Sequence, residues 1–172
     1  MISAYLCRGM TGRDKAEVVK EATEDKEFFE KCGIRINCPV AEEKVKAEHK
    51  PLKSTVNHLT KYWRRDKELI RASNVVIDMT PHLNSEGVKH ELGYGRYSLW
   101  KPVVRIYPEG QLPPKASVAF FEDDYITDSR IDALEYILRV HGTQYKRLKW
   151  RLDLLNRCLL KWVWYQVLEL FR

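Results

Sequence analysis

Cysteine is scarce and unpatterned in this 172-residue chain. Cys7, Cys32, Cys38 and Cys158 form no CxxC pair and no metal-ligand spacing. That argues against a disulfide framework or a zinc site, and for free thiols in a reducing compartment. The usual phosphate-binding signatures are missing too: the glycine-containing stretch "RGMTGR" (8–13) is neither a Walker loop nor GxGxxG. No apolar run is long enough and free enough of charge for a membrane span, which needs about 20 residues. The opening "MISAYLCRGM" runs into charged residues soon after, unlike a secretory leader. A cytoplasmic protein without a metal or organic cofactor is therefore expected.

Hydrophobic residues make up 44% of the chain and charged residues 31%, a balance that builds a normal core and excludes disorder. The length suits one domain with a tail. The formal charge of +6 favours an anionic partner, whether a phosphate ligand, nucleic acid or a membrane surface, but fits a merely basic surface as well. Because the cations are spread along the chain and match no known module, no nucleic acid is expected as partner.

Apolar runs and helical periodicities alternate. "ISAYLC" (2–7), "IRINCPV" (34–40), "NVVIDM" (74–79) and "PVVRIY" (102–107) read as strands, and "SVAFF" (117–121) as a weaker fifth. Between them, Asp14 opens a helix that Gly33 closes. Ser54 opens another running to residue 73. A helix follows "TPHLNSEG" (80–87), and Asp128 caps a last one. Segment 41–53 is highly charged and reads as loop or loose helix. Strands alternating with helices imply right-handed βαβ units, hence an α/β domain over residues 1–142 with a parallel five-stranded, flavodoxin- or Rossmann-like sheet. The expected strand order is 2-1-3-4-5. Ligands then bind beyond the carboxyl ends of strands one and three, where the order reverses.

Two loops border that crevice, 8–13 and 80–87. The first offers backbone N–H groups around Gly9, with Arg8, Thr11 and Arg13. The second offers Ser85 and Gly87 ahead of a helix N-terminus, whose free N–H groups attract anions. Tyr5 comes from strand one, Glu91 from the helix after the second loop, and Asp66 from the helix leading into strand three. A phosphate suits the helix terminus. A carboxylate pair suits glycosyl chemistry, with one acid attacking the anomeric carbon and the other serving the leaving group. Each residue also has a plainer reading. Asp66, between Arg65 and Lys67, fits a solvated helix charge, Glu91 a helix-terminal acid and Tyr5 a core aromatic. His90 reads as a surface residue.

In order and spacing, "AYLCRGMTGR", "RRDKELIRASNVVIDMT" and "SEGVKHELGYGRYSLWKPVV" resemble the nucleoside 2-deoxyribosyltransferase superfamily over residues 2–141, outside 34–60. The resemblance implies a nucleophile at Glu91, a base-engaging aspartate at Asp66 and an orienting tyrosine at Tyr5. The superfamily's transferases carry an acid six positions before the nucleophile, to bind the sugar 5′-hydroxyl. Here that position is Ser85, as in the branch that hydrolyses nucleoside 5′-monophosphates, where a serine binds the phosphate. Ser117 matches a second phosphate-binding serine, supplied in that branch by the neighbouring subunit, which implies a homodimer or larger homo-oligomer. Arg8-Gly9 stands where the hydrolases carry Gly-Ser, so Arg8 either adds a phosphate contact or narrows the pocket. The implied reaction is hydrolysis of a (deoxy)nucleoside 5′-monophosphate to free base and (deoxy)ribose 5-phosphate. The alternatives are base exchange by a 2-deoxyribosyltransferase and nucleotide binding or sensing without chemistry.

The remaining segment, 143–172, mixes Lys and Arg with Leu, Trp and Val. It reads as an extra amphipathic C-terminal helix. It would pack on its own domain, on another subunit or peripherally on an anionic membrane.

Overall fold

The computed structural model describes residues 1–10, 12–42, 56–83, 85–113 and 124–141, with side chains omitted over 56–61. The chain divides into two compact units, Met1–Tyr136 and Ile137–Arg172, and the sheet lies in the first. Thr11, Ser54, Ser117, the expected strand at 117–121 and the 143–172 helix fall outside the described residues.

Five parallel strands form the sheet, in the order β2-β1-β3-β4-β5. They are β1 (Ile2–Cys7), β2 (Ile34–Asn37), β3 (Val75–Asp78), β4 (Val103–Ile106) and β5 (Asp124–Thr127). The helices are α1 (Lys15–Lys31), α2 (Pro39–Glu42), α3 (Val56–Arg71), α4 (Glu86–Gly93) and α5 (Arg130–His141). This is the flavodoxin-like α/β order read from the sequence. β1 and β3 are mostly apolar and buried, as strands covered on both faces must be, while the edge strand β2 leaves Arg35 exposed.

α1 shows how local chemistry sets the element. The Asp14 carboxylate accepts the Glu17 N–H at 2.9 Å, satisfying a donor that the first turn leaves open. Val18, Ala22, Asp25 and Phe29 form its buried stripe at helical spacing. Gly33, at φ +81°, ends it in the left-handed conformation that glycine tolerates best.

Three local expectations change. β2 stops at Asn37, and Pro39 opens the short helix α2, because proline carries no ladder N–H and its fixed φ suits a first helical turn. The fifth strand is Asp124–Thr127, three residues beyond the apolar run expected to form it. A strand that starts on aspartate reads as loop in sequence. Here the Asp124 side chain is 1% exposed and held by Arg105 at 2.7 Å and Arg96 at 2.9 Å. Finally, Ser129 rather than Asp128 caps α5. Its hydroxyl accepts the Asp132 N–H at 3.2 Å, while Asp128 accepts the Gly110 N–H at 3.0 Å.

One face of the sheet carries Tyr5, Cys7, Val76 and Val103 in a single cluster with Ile70 of α3 and Val88 and Leu92 of α4. The helix that begins as α4 continues as a π-helical turn, Tyr94–Ser98. Gly95 in that turn lies against β3: a Cβ built there would stand 2.7 Å from Val76 Cγ2 and 3.6 Å from Ile70 Cγ2. The glycine lets the helix sit down on the strand. Gly95→Ala is expected to destabilise the domain by about 1–3 kcal/mol through overpacking, read as a lower denaturation midpoint in urea. Gly93→Ala, with open space around its Cβ, is the control and should lose much less.

Candidate active site

Beyond the carboxyl ends of β1 and β3 lies a cleft of about 420 Å³, within the size range of small-molecule sites. Tyr5, Asp66, Ser85, Gly87 and Glu91 all line it. The parallel register sets Tyr5 beside Val76 and Cys7 beside Asp78, so the loops leaving β1 and β3 emerge side by side. They are tied together: the Gly9 N–H donates to Thr80 Oγ1 at 2.7 Å. A Cβ on Gly9 would stand 3.1 Å from Ser85 Cβ.

Tyr5 stands two residues before the end of β1. It is fully buried in the core cluster and also forms part of the cleft wall, so it is a core aromatic and a site residue together. Its hydroxyl has no partner of ordinary hydrogen-bond geometry among the described residues, yet it faces Glu91 closely enough to stabilise the Glu91 anion. Burial, then the nearby Glu91 and Asp66 charges, push the phenol far above its usual pKa, so it stays a neutral donor. A buried hydroxyl without a bonded partner is rare enough to call for an explanation. A substrate oxygen or the Glu91 carboxylate supplies one.

Glu91 is raised to about pH 8, first by burial and then by the Asp66 charge; Asp78 pushes the same way, while Tyr5 and Arg65 pull it down. A second acid in the same site disfavours the charged form of the first. Asp66 is only 15% exposed in its side chain, with Oδ1 accepting from Arg65 Nε at 3.3 Å and Nη2 at 3.2 Å. It is thus a cleft residue rather than a solvated helix charge. His90, one position before Glu91, is exposed.

Ser85 occupies the N-cap position of α4, yet its hydroxyl makes no capping bond. It lines the cleft beside Gly87, where the first N–H groups of α4 lack intrahelical acceptors. Together they give the cleft a neutral donor group.

The other loop residues do different work. The Arg8 side chain is 6% exposed and its guanidinium is ion-paired with Glu21 and Asp25 of α1. Arg8 borders the cleft, but its charge is spent on α1, because a buried cation without a counter-ion would be costly. Arg13 pairs with Glu21 at 2.5 Å and does not line the cleft. The Gly9 N–H is committed to Thr80, as above. Of the donors expected from sequence, Arg13 and the Gly9 N–H are turned elsewhere, while Arg8 borders the cleft with its Nε lacking a partner among the described residues. Sequence reasoning also missed the cleft walls: Met10, Pro39 and Val40 on one side, Tyr62 and Arg65 on the other. The only signal for Tyr62 and Arg65 was their spacing of four and one before Asp66 on α3. Cys7 and Cys38 are buried free thiols. Among the described residues no cluster of three His, Cys, Asp or Glu could hold a metal, and no helix is long and apolar enough to cross a membrane.

Comparison with known proteins adds the fold. No protein-family model and no curated protein matches the chain. Among solved structures, a 2-deoxyribosyltransferase from Bacillus psychrosaccharolyticus superimposes with a TM-score of 0.56 at 17% identity, covering 77% of this chain and 90% of that one. A conserved protein from Enterococcus faecalis V583 superimposes with a TM-score of 0.58 at 16% identity, covering 81% of this chain and 98% of that one. The chain shares their fold.

The buried state of Glu91 has a measurable consequence. An acid whose folded-state pKa is raised contributes stability that is full below its unfolded value, here 4.5, and is lost as pH climbs toward 8. Glu91→Gln abolishes that loss. The mutant should therefore melt a few degrees above wild type at pH 8.5, for a domain of this size, with the difference shrinking at pH 5. Thermal melts at the two pH values check this; an equal gap at both would mean that Glu91 titrates like a solvated carboxylate.

Proposed function

We propose that the chain hydrolyses the N-glycosidic bond of a (deoxy)nucleoside 5′-monophosphate. The observation that carries this reading is that two carboxylates and a buried tyrosine hydroxyl share one cleft with a neutral donor end. Similarity of fold to a 2-deoxyribosyltransferase supports chemistry at a nucleoside, and the residues at the donor end favour the phosphorylated substrate.

Glu91, as the anion, attacks C1′ of the sugar. The C1′–O bond forms as the C1′–N bond breaks, and the departing base takes a proton from Asp66. Water then attacks C1′ of the glycosyl ester and gives its proton to the Asp66 carboxylate. That frees (deoxy)ribose 5-phosphate and restores Glu91. The acid pair holds one proton between its members near neutral pH, and the reactive arrangement has it on Asp66. Tyr5 holds the Glu91 oxygens in line. Ser85 and the first turn of α4 receive the phosphate, since a hydroxyl and backbone N–H groups at a helix N-terminus donate to anions. A second free base in place of water would turn the same intermediate to base exchange, the reading favoured by the similarity to a transferase.

With each ribo- and deoxyribonucleoside monophosphate, chromatography should detect free base. Glu91→Gln should lower the rate by more than about 100-fold, the scale for a main catalytic group. Near wild-type turnover in that mutant would remove Glu91 from the mechanism. Added free base that yields an exchanged nucleotide would favour the transferase.

Ser85 separates the substrate classes. Ser85→Asp puts a carboxylate where the phosphate sits, and a charge-assisted hydrogen bond is worth about 1.5–3 kcal/mol. The mutant should lose at least about tenfold in kcat/KM for a monophosphate relative to its unphosphorylated nucleoside, with a milder loss in Ser85→Ala. An unchanged ratio would overturn the phosphate assignment.

A further inference from the structure

Arg65 holds an unusual place. It neighbours Asp66 directly on α3, and consecutive helical residues normally point about 100° apart and do not meet. Here the guanidinium folds back: Nε and Nη2 converge on Asp66 Oδ1 at 3.3 and 3.2 Å. It lies over the ring of Tyr62, one helical turn earlier, 5.5 Å from the centroid. Tyr62, Arg65 and Asp66 all line the cleft. Ordering a long side chain into this pose costs rotamer entropy, which the stacking and the two contacts to one oxygen offset.

We propose that Arg65, seated on Tyr62, is a positioning residue for the acid pair: it grips one oxygen of Asp66, orients that carboxyl group in the cleft and sets a positive charge beside it. The inference rests on the glycosidase reading for its consequence in turnover, but the grip on Asp66 can be measured without any substrate.

The charges around the pair make the cation necessary. Glu91 faces Asp66 from α4. Asp78 adds negative charge from β3, partly answered by Arg105 of β4 at 3.4 Å. Tyr5 and Cys7 of β1 are neutral, both shifted upward. Arg8 is neutralised by Glu21 and Asp25. Arg65 contacts Asp66 directly and pulls the Glu91 pKa down. Without it, both protons would be held more tightly, and the singly protonated pair would form only at higher pH.

The test uses the full chain and three proteins: wild type, Arg65→Gln and Arg65→Lys. The first readout is carbon-13 NMR titration of the Asp and Glu carboxyl groups. Loss of an adjacent opposite charge should raise the apparent pKa values of the pair by roughly one unit in Arg65→Gln. Arg65→Lys keeps the charge and should titrate close to wild type. The second readout is the pH dependence of base release. The rate maximum should move up by a similar amount in Arg65→Gln. Arg65→Lys should keep its position but lose kcat about tenfold with little change in KM, since an ammonium cannot reproduce the planar contact. Tyr62→Leu, which removes the seat but not the charge, should resemble Arg65→Lys. Identical carboxyl titrations in wild type and Arg65→Gln would overturn the proposal whatever the activity. A titration shift in a protein that releases no base would uphold the role of Arg65 and overturn the glycosidase reading instead.

Discussion

The parallel pairing of β1 with β3 is the constraint on which the cleft depends. Because β2 lies on one side of β1 and β3 on the other, the chain leaves these two neighbours in opposite directions and a gap opens above their ends. The Tyr5–Val76 and Cys7–Asp78 register brings Tyr5 level with the strand beneath α4. Gly95 then lets the helix continuing from α4 settle on Val76, which draws Glu91 into the wall. Shifting that pairing by one residue would turn Tyr5 to the opposite face of the sheet and leave Glu91 without it.

Two charge networks, each built around a buried aspartate, frame the site. Arg8, Glu21, Asp25 and Arg130 join the β1 loop to α1 and the start of α5. Asp78, Arg105, Asp124 and Arg96 join β3, β4, β5 and the π-helical turn. Breaking one partner of such a buried pair is costly, so these arginines serve the scaffold. Arg8 and Arg13, the two cations of the β1 loop, are therefore both paired with acids of α1. The donor end of the cleft relies on a hydroxyl and helix N–H groups, and the acid end on Arg65.

The same arrangement accounts for the acidity of Glu91. Burial removes water and a second acid stands nearby, so the Glu91 carboxyl is raised to a pKa of about 8. A phenol that cannot ionise in this environment remains a donor throughout.

Strand order was legible in the sequence because apolar runs separated by capped helices admit few topologies. Tyr5, Ser85, Gly87 and Glu91 were legible as neighbours because each lies at or beside the end of an element that the topology brings to one crevice. Asp66 was legible only as a candidate: its place on α3 gives its height along the helix, while the rotation of the helix against the sheet decides whether it faces the cleft or solvent. The same limit hid Tyr62 and Arg65. The ion pairs of Arg8 and Arg13 were hidden because their counter-ions lie 8 to 17 residues away on α1, and β5 was misplaced because the partners that allow Asp124 to be buried come from other elements. Periodicity, capping and loop chemistry are properties of neighbouring residues, so the sequence by itself determined the elements and their order. Charge pairing, helix rotation and the loss of water around Glu91 depend on residues far apart in the chain, and only the tertiary structure decided those.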